Sequence, residues 1–286
     1  MGCYVRLVNN LVLMIMAKLG LPKSVIQCIG ELVHLVKTIY GISSVSYGNT
    51  REKLLYGPGQ GSTCDPLFWL LCYWVIVSSL DPTITAATFI SACQSIIVEI
   101  TGVSFVDDTS LSVTSEYVND EYLSVAENQH REVEHLVERL SALSQHWEQL
   151  LFTTGVAINF QKSHWYLMTW LWNNGIPCLA MNSQTSASMT LTTDMSSLQE
   201  PVPRIEPTSG FRTLGVYVTP SGKFQQQVKV LRSHTESFKA NILPSSLTPS
   251  EAYCHYTEDK LHVTMCITHS SSVQIYTSAC VRSHFT

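Results

Sequence analysis

An α+β fold is what this sequence predicts, on three observations. Some stretches repeat apolar residues at the helical period, others alternate apolar and polar residues at the two-residue period of a strand, and the two kinds follow one another without the strict βαβ order of a doubly wound sheet. At 45% hydrophobic and 14% charged, the 286-residue chain has enough apolar surface to bury a core. That length fits one large domain or two small ones. The formal net charge of −5 argues against a general nucleic-acid binder, although the sparse Lys and Arg are scattered and leave room for a local basic groove.

Taken in order, Leu7, Val8, Leu11, Val12, Ile15 and Leu19 predict a helix over 7–19, with Gly20 as its stop. A second helix is expected from Ser24 to Tyr40 on Val25, Ile26, Ile29, Leu32, Val33, Val36 and Ile39. "ISSVSYGNTREKLLYGPGQGS" reads as short extended arms around a Gly-Asn-Thr turn, followed by a Gly-rich loop. "PLFWLLCYWVIVSSL", residues 66–80, falls short of the roughly 20 residues that span a bilayer and is expected to be a buried helix.

"TGVSFVDDTSLSV" has two alternating arms, Val103 and Phe105 before the turn and Leu111 and Val113 after it, with Asp107 and Asp108 between them. Ser124 and Glu127 form a capping-box pattern. It opens a helix whose stripe is Val133, Leu136, Val137, Leu140, Leu143, Trp147 and Leu150, ended by Gly155. "GVAINFQKSHWYLMTW" returns to alternation around a polar turn at 159–163. Residues 173–210, rich in Ser, Thr, Asn and Pro, read as an insertion or mobile loop. "FRTLGVYVTPSGKF" reads as a strand, a Pro-Ser-Gly turn and the start of a helix reaching about Leu243. No internal repeat is visible.

Nine cysteines without a CxxC pair point to reduced thiols and an intracellular setting, cytoplasm or nucleus. The N-terminus has no signal-peptide pattern, and Arg6 breaks the myristoylation pattern that Met-Gly begins.

The paired aspartates carry the chemistry. Asp is a good turn residue, so a plain β-hairpin accounts for them. Yet neighbouring carboxylates without an adjacent Lys or Arg repel each other unless a cation lies beside them. Hard oxygens on a rigid hairpin suit Mg²⁺, which keeps several waters and takes one or two carboxylates plus phosphate oxygens.

Four stretches in order, over about residues 3–250, resemble a reverse transcriptase of the non-LTR retrotransposon kind. "GPGQGSTCDPLFWLL" is similar to that family's Gln-Gly loop and following helix, "FVDD" to its catalytic hairpin, "GVAINFQKS" to its Gly…Asn…Lys element, and "FRTLGV" to its Leu-Gly primer-grip hairpin. The resemblance implies a partial right-hand polymerase: fingers and N-terminal palm over 1–100, palm over 101–240, and a truncated thumb or disordered tail over 241–286. It implies RNA-templated DNA synthesis by two-metal nucleotidyl transfer, with RNA template, DNA primer and dNTP as partners and no membrane. Mg²⁺, or Mn²⁺, would be the cofactor.

By the same resemblance, Asp107 is the principal metal ligand and Asp108 the second, weaker one. Lys162 is a candidate proton donor to the leaving pyrophosphate; an exposed turn lysine is the plain alternative. Tyr4, Gln60, Gly61, Ser62, Phe105 and Val106 form the nucleotide- and template-binding set, and Leu214 and Gly215 the primer grip. Trp165 and Tyr166 suit core packing better than base stacking.

The pattern also breaks. The family's first catalytic aspartate comes five residues before the aromatic matched by Tyr4, which puts it ahead of Met1, and Val5 stands where a further Asp is expected. Asp65 is an anion where the family has a small residue. With one anionic ligand fewer, two close cations repel more strongly. The chain by itself is therefore expected to hold the metals weakly and to have little or no polymerase activity. A non-catalytic nucleic-acid-binding remnant or decayed retroelement product is the alternative. Two further readings are a zinc module from Cys266, His269, Cys280 and His284, and an interfacial membrane protein using residues 66–80.

Overall fold

The computed structural model describes residues 7–30, 34–38, 41–47, 49–50, 53–54, 65–80, 86–105, 108–115, 117–192, 198–213, 216–242, 244, 248, 250–251 and 278–284. These form helices and small antiparallel sheets, an α+β architecture.

Helix α1 (Asn9–Lys18) buries Val12, Ile15 and Met16, and Gly20 closes it with a φ of +82°, a conformation that a residue bearing a Cβ adopts only with strain. Helix α2 (Lys23–Gly30) starts where the Pro22 carbonyl accepts the N–H groups of Val25 and Ile26. It ends far short of the expected Tyr40. Gly30 lies against α1 so closely that a Cβ there would meet Leu13 Cδ1 at 3.1 Å. Beyond it the chain turns to strand β1 (His34–Thr38), paired antiparallel with β2 (Gly41–Tyr47). Thr38, paired with Gly41, is β-branched, a residue type that loses rotamer freedom in a helix and fits a ladder; Val36 falls at the register shift between Leu35 and Lys37. The next hairpin, β3 (Asn49–Thr50) with β4 (Lys53–Leu54), places Asn49 and Thr50 in a strand and not in the expected turn.

Helix α3 (Asp65–Ser78) corresponds to the apolar run, but one face of it is exposed. Phe68, Trp69, Cys72 and Ile76 are buried, whereas Leu67, Leu70 and Trp74 are more than half exposed. Because the composition is apolar all round, only packing decides the face. Strands β5 (Ala87–Ile90) and β6 (Ile97–Ile100) form a hairpin, and β7 (Gly102–Phe105) and β8 (Asp108–Thr114) form the next.

The long helix α4 (Val125–Thr153) begins as expected. Ser124 Oγ accepts the Glu127 N–H at 3.3 Å while Glu127 Oε2 accepts the Ser124 N–H at 2.9 Å. Val133, Leu136, Leu140, Leu143, Trp147 and Leu151 are buried along one stripe, and Gly155 follows with a φ of +85°. The capping box contributes about 1 kcal/mol. Burying the stripe contributes roughly 1.5–3 kcal/mol per side chain, so packing and not capping holds this helix in place.

After α4, Val156 and Ile158 are buried outside any named strand, and a turn closes on the Asn159 carbonyl, which accepts the N–H groups of Lys162 and Ser163. Strand β9 (His164–Met168) follows. Residues 173–210 are not a structureless insertion. Strands β10 (Trp170–Asn173) and β11 (Ile176–Leu179) make a hairpin through Asn174 and Gly175, with φ of +50° and +77°, the signature of a tight type I′ connection. Strands β12 (Met189–Thr192) and β13 (Gln199–Val202) make another. The Gln145 side chain on α4 clasps the end of β12, donating to Thr192 O at 3.0 Å and accepting from Thr192 N at 2.7 Å. A polar composition hid these hairpins because they bury few residues: Met189, Leu191 and Val202 in β12–β13, and none fully in β10–β11.

The expected single strand at 211–218 is itself a hairpin, β14 (Phe211–Thr213) with β15 (Val216–Val218). Helix α5 (Gln225–Ile242) then runs close to the expected end. Ser278–His284, within the segment expected as thumb or tail, is strand β16, antiparallel to β8 along its whole length. The chain divides into two compact units: Met1–Trp165 with Ala187–Arg204 and Ser278–Thr286, and Tyr166–Ser186 with Ile205–Thr277. Among the described residues no helix is long and apolar enough to cross a membrane.

One side chain organises the entry to α4. Asn128, 8% exposed, accepts from Asp120 N at 2.8 Å and the Tyr117 hydroxyl at 3.1 Å, and donates to Asp120 O at 2.9 Å and Leu123 O at 3.2 Å. Its amide is fully satisfied. Asn128→Ala strands these partners and should lower the unfolding free energy by about 2 kcal/mol in urea titration.

Candidate functional site

The β7–β8 register pairs Gly102 with Leu111, Val103 with Ser110, Ser104 with Thr109 and Phe105 with Asp108. Cross-strand partners share a face. Thr109, Leu111 and Val113 point inward at 1%, 2% and 0% exposure, so Gly102 and Ser104 share the inner face. Val103 points outward and is 65% exposed, against the inward position its alternation implied. The reason lies in the pairing: with Leu111 inward, its partner must be small. A Cβ on Gly102 would sit 2.8 Å from the Ser110 carbonyl oxygen and 3.0 Å from Leu111 Cδ2.

Asp108 is the first residue of β8 and is half-buried. Its backbone lies between two neighbours, with Phe105 as partner on one side and His284 on the other. A hydroxyl cluster lies beneath it. Ser104 Oγ donates to Asp108 O at 3.2 Å and lies 2.9 Å from Thr109 Oγ1. Burial pushes the Tyr73 phenol of α3 above its ordinary pKa, and the Ser104 hydroxyl partly offsets the rise.

Of the residues expected at the site, the structure brings Phe105 and Asp108 together as a backbone pair. Lys162 is exposed in its turn. Trp165 is wholly buried, its Nε1 donating to Val202 O at 3.1 Å, and Tyr166 is 7% exposed, so both are core residues. Tyr4, Gln60, Gly61, Ser62, Val106, Asp107, Leu214 and Gly215 lie outside the described residues. So do Cys266 and His269 of the zinc reading. Cys280 and His284 both lie in β16, where four residues span about 13 Å, too far for two ligands of one zinc without the strand bending. Asp65 is the first residue of α3, where the helix dipole favours a negative charge.

Among the described residues no group of three or more His, Cys, Asp and Glu side chains is placed to hold a metal ion. What the hairpin offers is an acidic backbone corner, held on both edges and from beneath. A cavity of about 330 Å³ lies elsewhere, between α1 and α3, lined by Leu11, Met14, Lys18, Leu19, Trp74 and Val75. It contains no carboxylate and none of the expected site residues.

Sequence reasoning missed the hydroxyl cluster. Once Phe105 is paired with Asp108, Ser104 must face Thr109, so that half was readable. Tyr73 was not, because nothing in an all-apolar helix marks which residue meets the hairpin.

Thiol chemistry separates the described cysteines. Cys93, fully exposed in the β5–β6 loop, is held down to about 7 by hydrogen bonds from Ser91 and Ser95, whereas burial pushes Cys72 up to about 11. Iodoacetamide should therefore label Cys93 with a rate half-maximal near pH 7, rising with pH as the thiolate forms, and leave Cys72 unlabelled in the native state; mass spectrometry of timed digests reads both. For the hairpin, Gly102→Ala should cost about 1–3 kcal/mol by forcing the strands apart, seen as a lower urea midpoint.

Compared with known proteins, the chain matches no family model and no curated protein.

Proposed function

We propose that this chain is part of a reverse transcriptase of the non-LTR retrotransposon kind, contributing palm and fingers, with the β7–β8 hairpin as its catalytic hairpin. The observation that supports this best is the hairpin register: Phe105 pairs with Asp108, and Asp108 opens β8. Paired acids at the end of a supported hairpin are what two-metal phosphoryl chemistry requires. The order of the four sequence elements adds to it, as do the β14–β15 hairpin at "FRTLGV" and the long helix between the second and third elements.

In this reading the primer 3′ oxygen attacks the α-phosphorus of the incoming dNTP and pyrophosphate leaves. Mg²⁺, which Asp107 and Asp108 would hold, would supply charge stabilisation for the attacking and leaving oxygens. The protein's work is positioning and charge neutralisation. Asp107 is the main carboxylate and Asp108 the weaker one. In this reading Lys162 would protonate pyrophosphate, and Gln60, Gly61 and Ser62 would contact the nucleotide and template base. Tyr4, Phe105 and Val106 complete the nucleotide side, and Leu214 and Gly215 hold the primer.

Asp107 and Asp108 are the carboxylates this reading assigns to the cations, so weak metal binding and primer extension near background are expected of the 286-residue chain. The test is Mn²⁺ binding followed by electron paramagnetic resonance, beside retention of an RNA–DNA hybrid. Asp107→Asn should weaken Mn²⁺ binding at least fivefold, while hybrid retention persists and falls steeply with salt. Equal Mn²⁺ binding by the variant and the parent, or no hybrid retention at low salt, overturns the proposal.

A further inference from the structure

The cavity of about 330 Å³ between α1 and α3 lies within the first compact unit. Helix α1 supplies one wall at helical spacing: Leu11, Met14, Ile15 and Lys18 stand at i, i+3, i+4 and i+7 and so form one stripe. Trp74 and Val75 of α3 complete the lining. Ile15 is 6% exposed and makes the floor, whereas Met14 and Trp74 are 56% and 55% exposed and stand at the rim. Packing of α1 on α3 accounts for Ile15. It leaves Met14 and Trp74 bordering an open apolar space of ligand size.

The walls are apolar, and Lys18 is the one charged residue among those that line the cavity. A lysine on an apolar wall lays its carbon stem along it and keeps the ammonium in water. Lys18 is exposed, and no carboxylate among the described residues forms an ion pair with it. Its charge therefore stands at the mouth. The C-terminal end of α1 opposes an anion with about half an elementary charge, and the ammonium carries a whole one. Three carbonyls of that end are already satisfied: Ile15 O accepts the Leu19 N–H at 2.9 Å, Met16 O the Leu21 N–H at 3.1 Å, and Ala17 O the Gly20 N–H at 3.1 Å. The balance at the mouth is positive.

We propose that this cavity binds a free fatty acid of short to medium length, its chain against Leu11, Ile15 and Val75 and its carboxylate at Lys18. Ligand cavities run from about 300 to 1,000 Å³, so this one, at the small end, takes a single chain and not a two-chain lipid. An apolar wall accepts the chain of an acid or an alcohol alike; the cation selects the acid. The site shares no residue with the polymerase reading, and the two stand or fall separately.

Isothermal titration calorimetry of the full chain at neutral pH, with hexanoate, octanoate and decanoate below their micellar concentrations, tests it. Saturable binding should tighten about fourfold with each methylene that leaves water. Lys18→Met keeps the stem and removes the charge. It should weaken octanoate binding about threefold, the scale of an exposed ion pair, while 1-octanol binds as it does to the parent. Lys18→Arg should restore octanoate binding. Val75→Phe narrows the cavity and should abolish binding of every probe at an unchanged urea midpoint, and Leu11→Phe should do the same from the opposite wall. Absence of saturable decanoate binding overturns the proposal. So does an affinity that ignores chain length, or an equal loss of octanoate and 1-octanol in Lys18→Met, which needs no change in the core. Sedimentation with phosphatidylglycerol vesicles by a chain that binds no decanoate gives the apolar rim to a lipid surface and likewise overturns it.

Discussion

Burial of the α4 stripe against the inner face of β8 is the constraint on which the first unit depends. Leu136, Leu140 and Leu151 are wholly buried, and Leu111 and Val113 face inward from the hairpin. Other contacts are arranged around that one. Tyr73 brings α3 to Trp147, and Gln145 brings β12 to the same helix. Arg139 Nη1 donates to Thr114 O at 3.0 Å at the end of β8, and Asn128 shapes the loop that enters α4. Apolar burial supplies most of the free energy, and these polar contacts determine which arrangement of the elements it stabilises.

The acidic corner inherits its rigidity from that core. Among the described residues its support is neutral: Gly102 lets the strands close up, and Ser104 and Thr109 lie beneath Asp108. A buried ion pair in the same place would carry a large desolvation cost. Ordinary local constraints account for two of the residues weighed in the sequence. Asp65 opens a helix, and Trp165 fills a core with Arg204 stacked at 5.3 Å from its ring.

Where sequence and structure part, the cause is tertiary in most places. The expected helix over 24–40 follows a sound apolar period, yet Gly30 fits closely against α1 and the chain beyond it finds a ladder with 41–47. The segment over 173–210 has a loop's composition, but Asn174-Gly175 is a hairpin signal in plain view, and Gln145 on a distant helix secures the next hairpin. Val103 alternates like an inward residue and faces out because its partner is Ser110.

From its residues alone, the chain determined much that depends on neighbours in sequence. The capping box at Ser124 and Glu127, the stripe and glycine stop of α4, the turn on Asn159, and the two arms flanking the aspartates all follow from local geometry and short-range periodicity. The pair of adjacent acids between alternating arms was legible in the same way, and of it the described structure shows Asp108 at the start of β8. The tertiary structure alone decided which face of an all-apolar α3 is buried, that Tyr73 meets Ser104, that β16 returns to pair with β8, and where Val103 points. These are contacts between segments far apart in the chain. No local pattern encodes them, because what selects each is the shape and hydrogen-bonding of a partner that folding alone brings near.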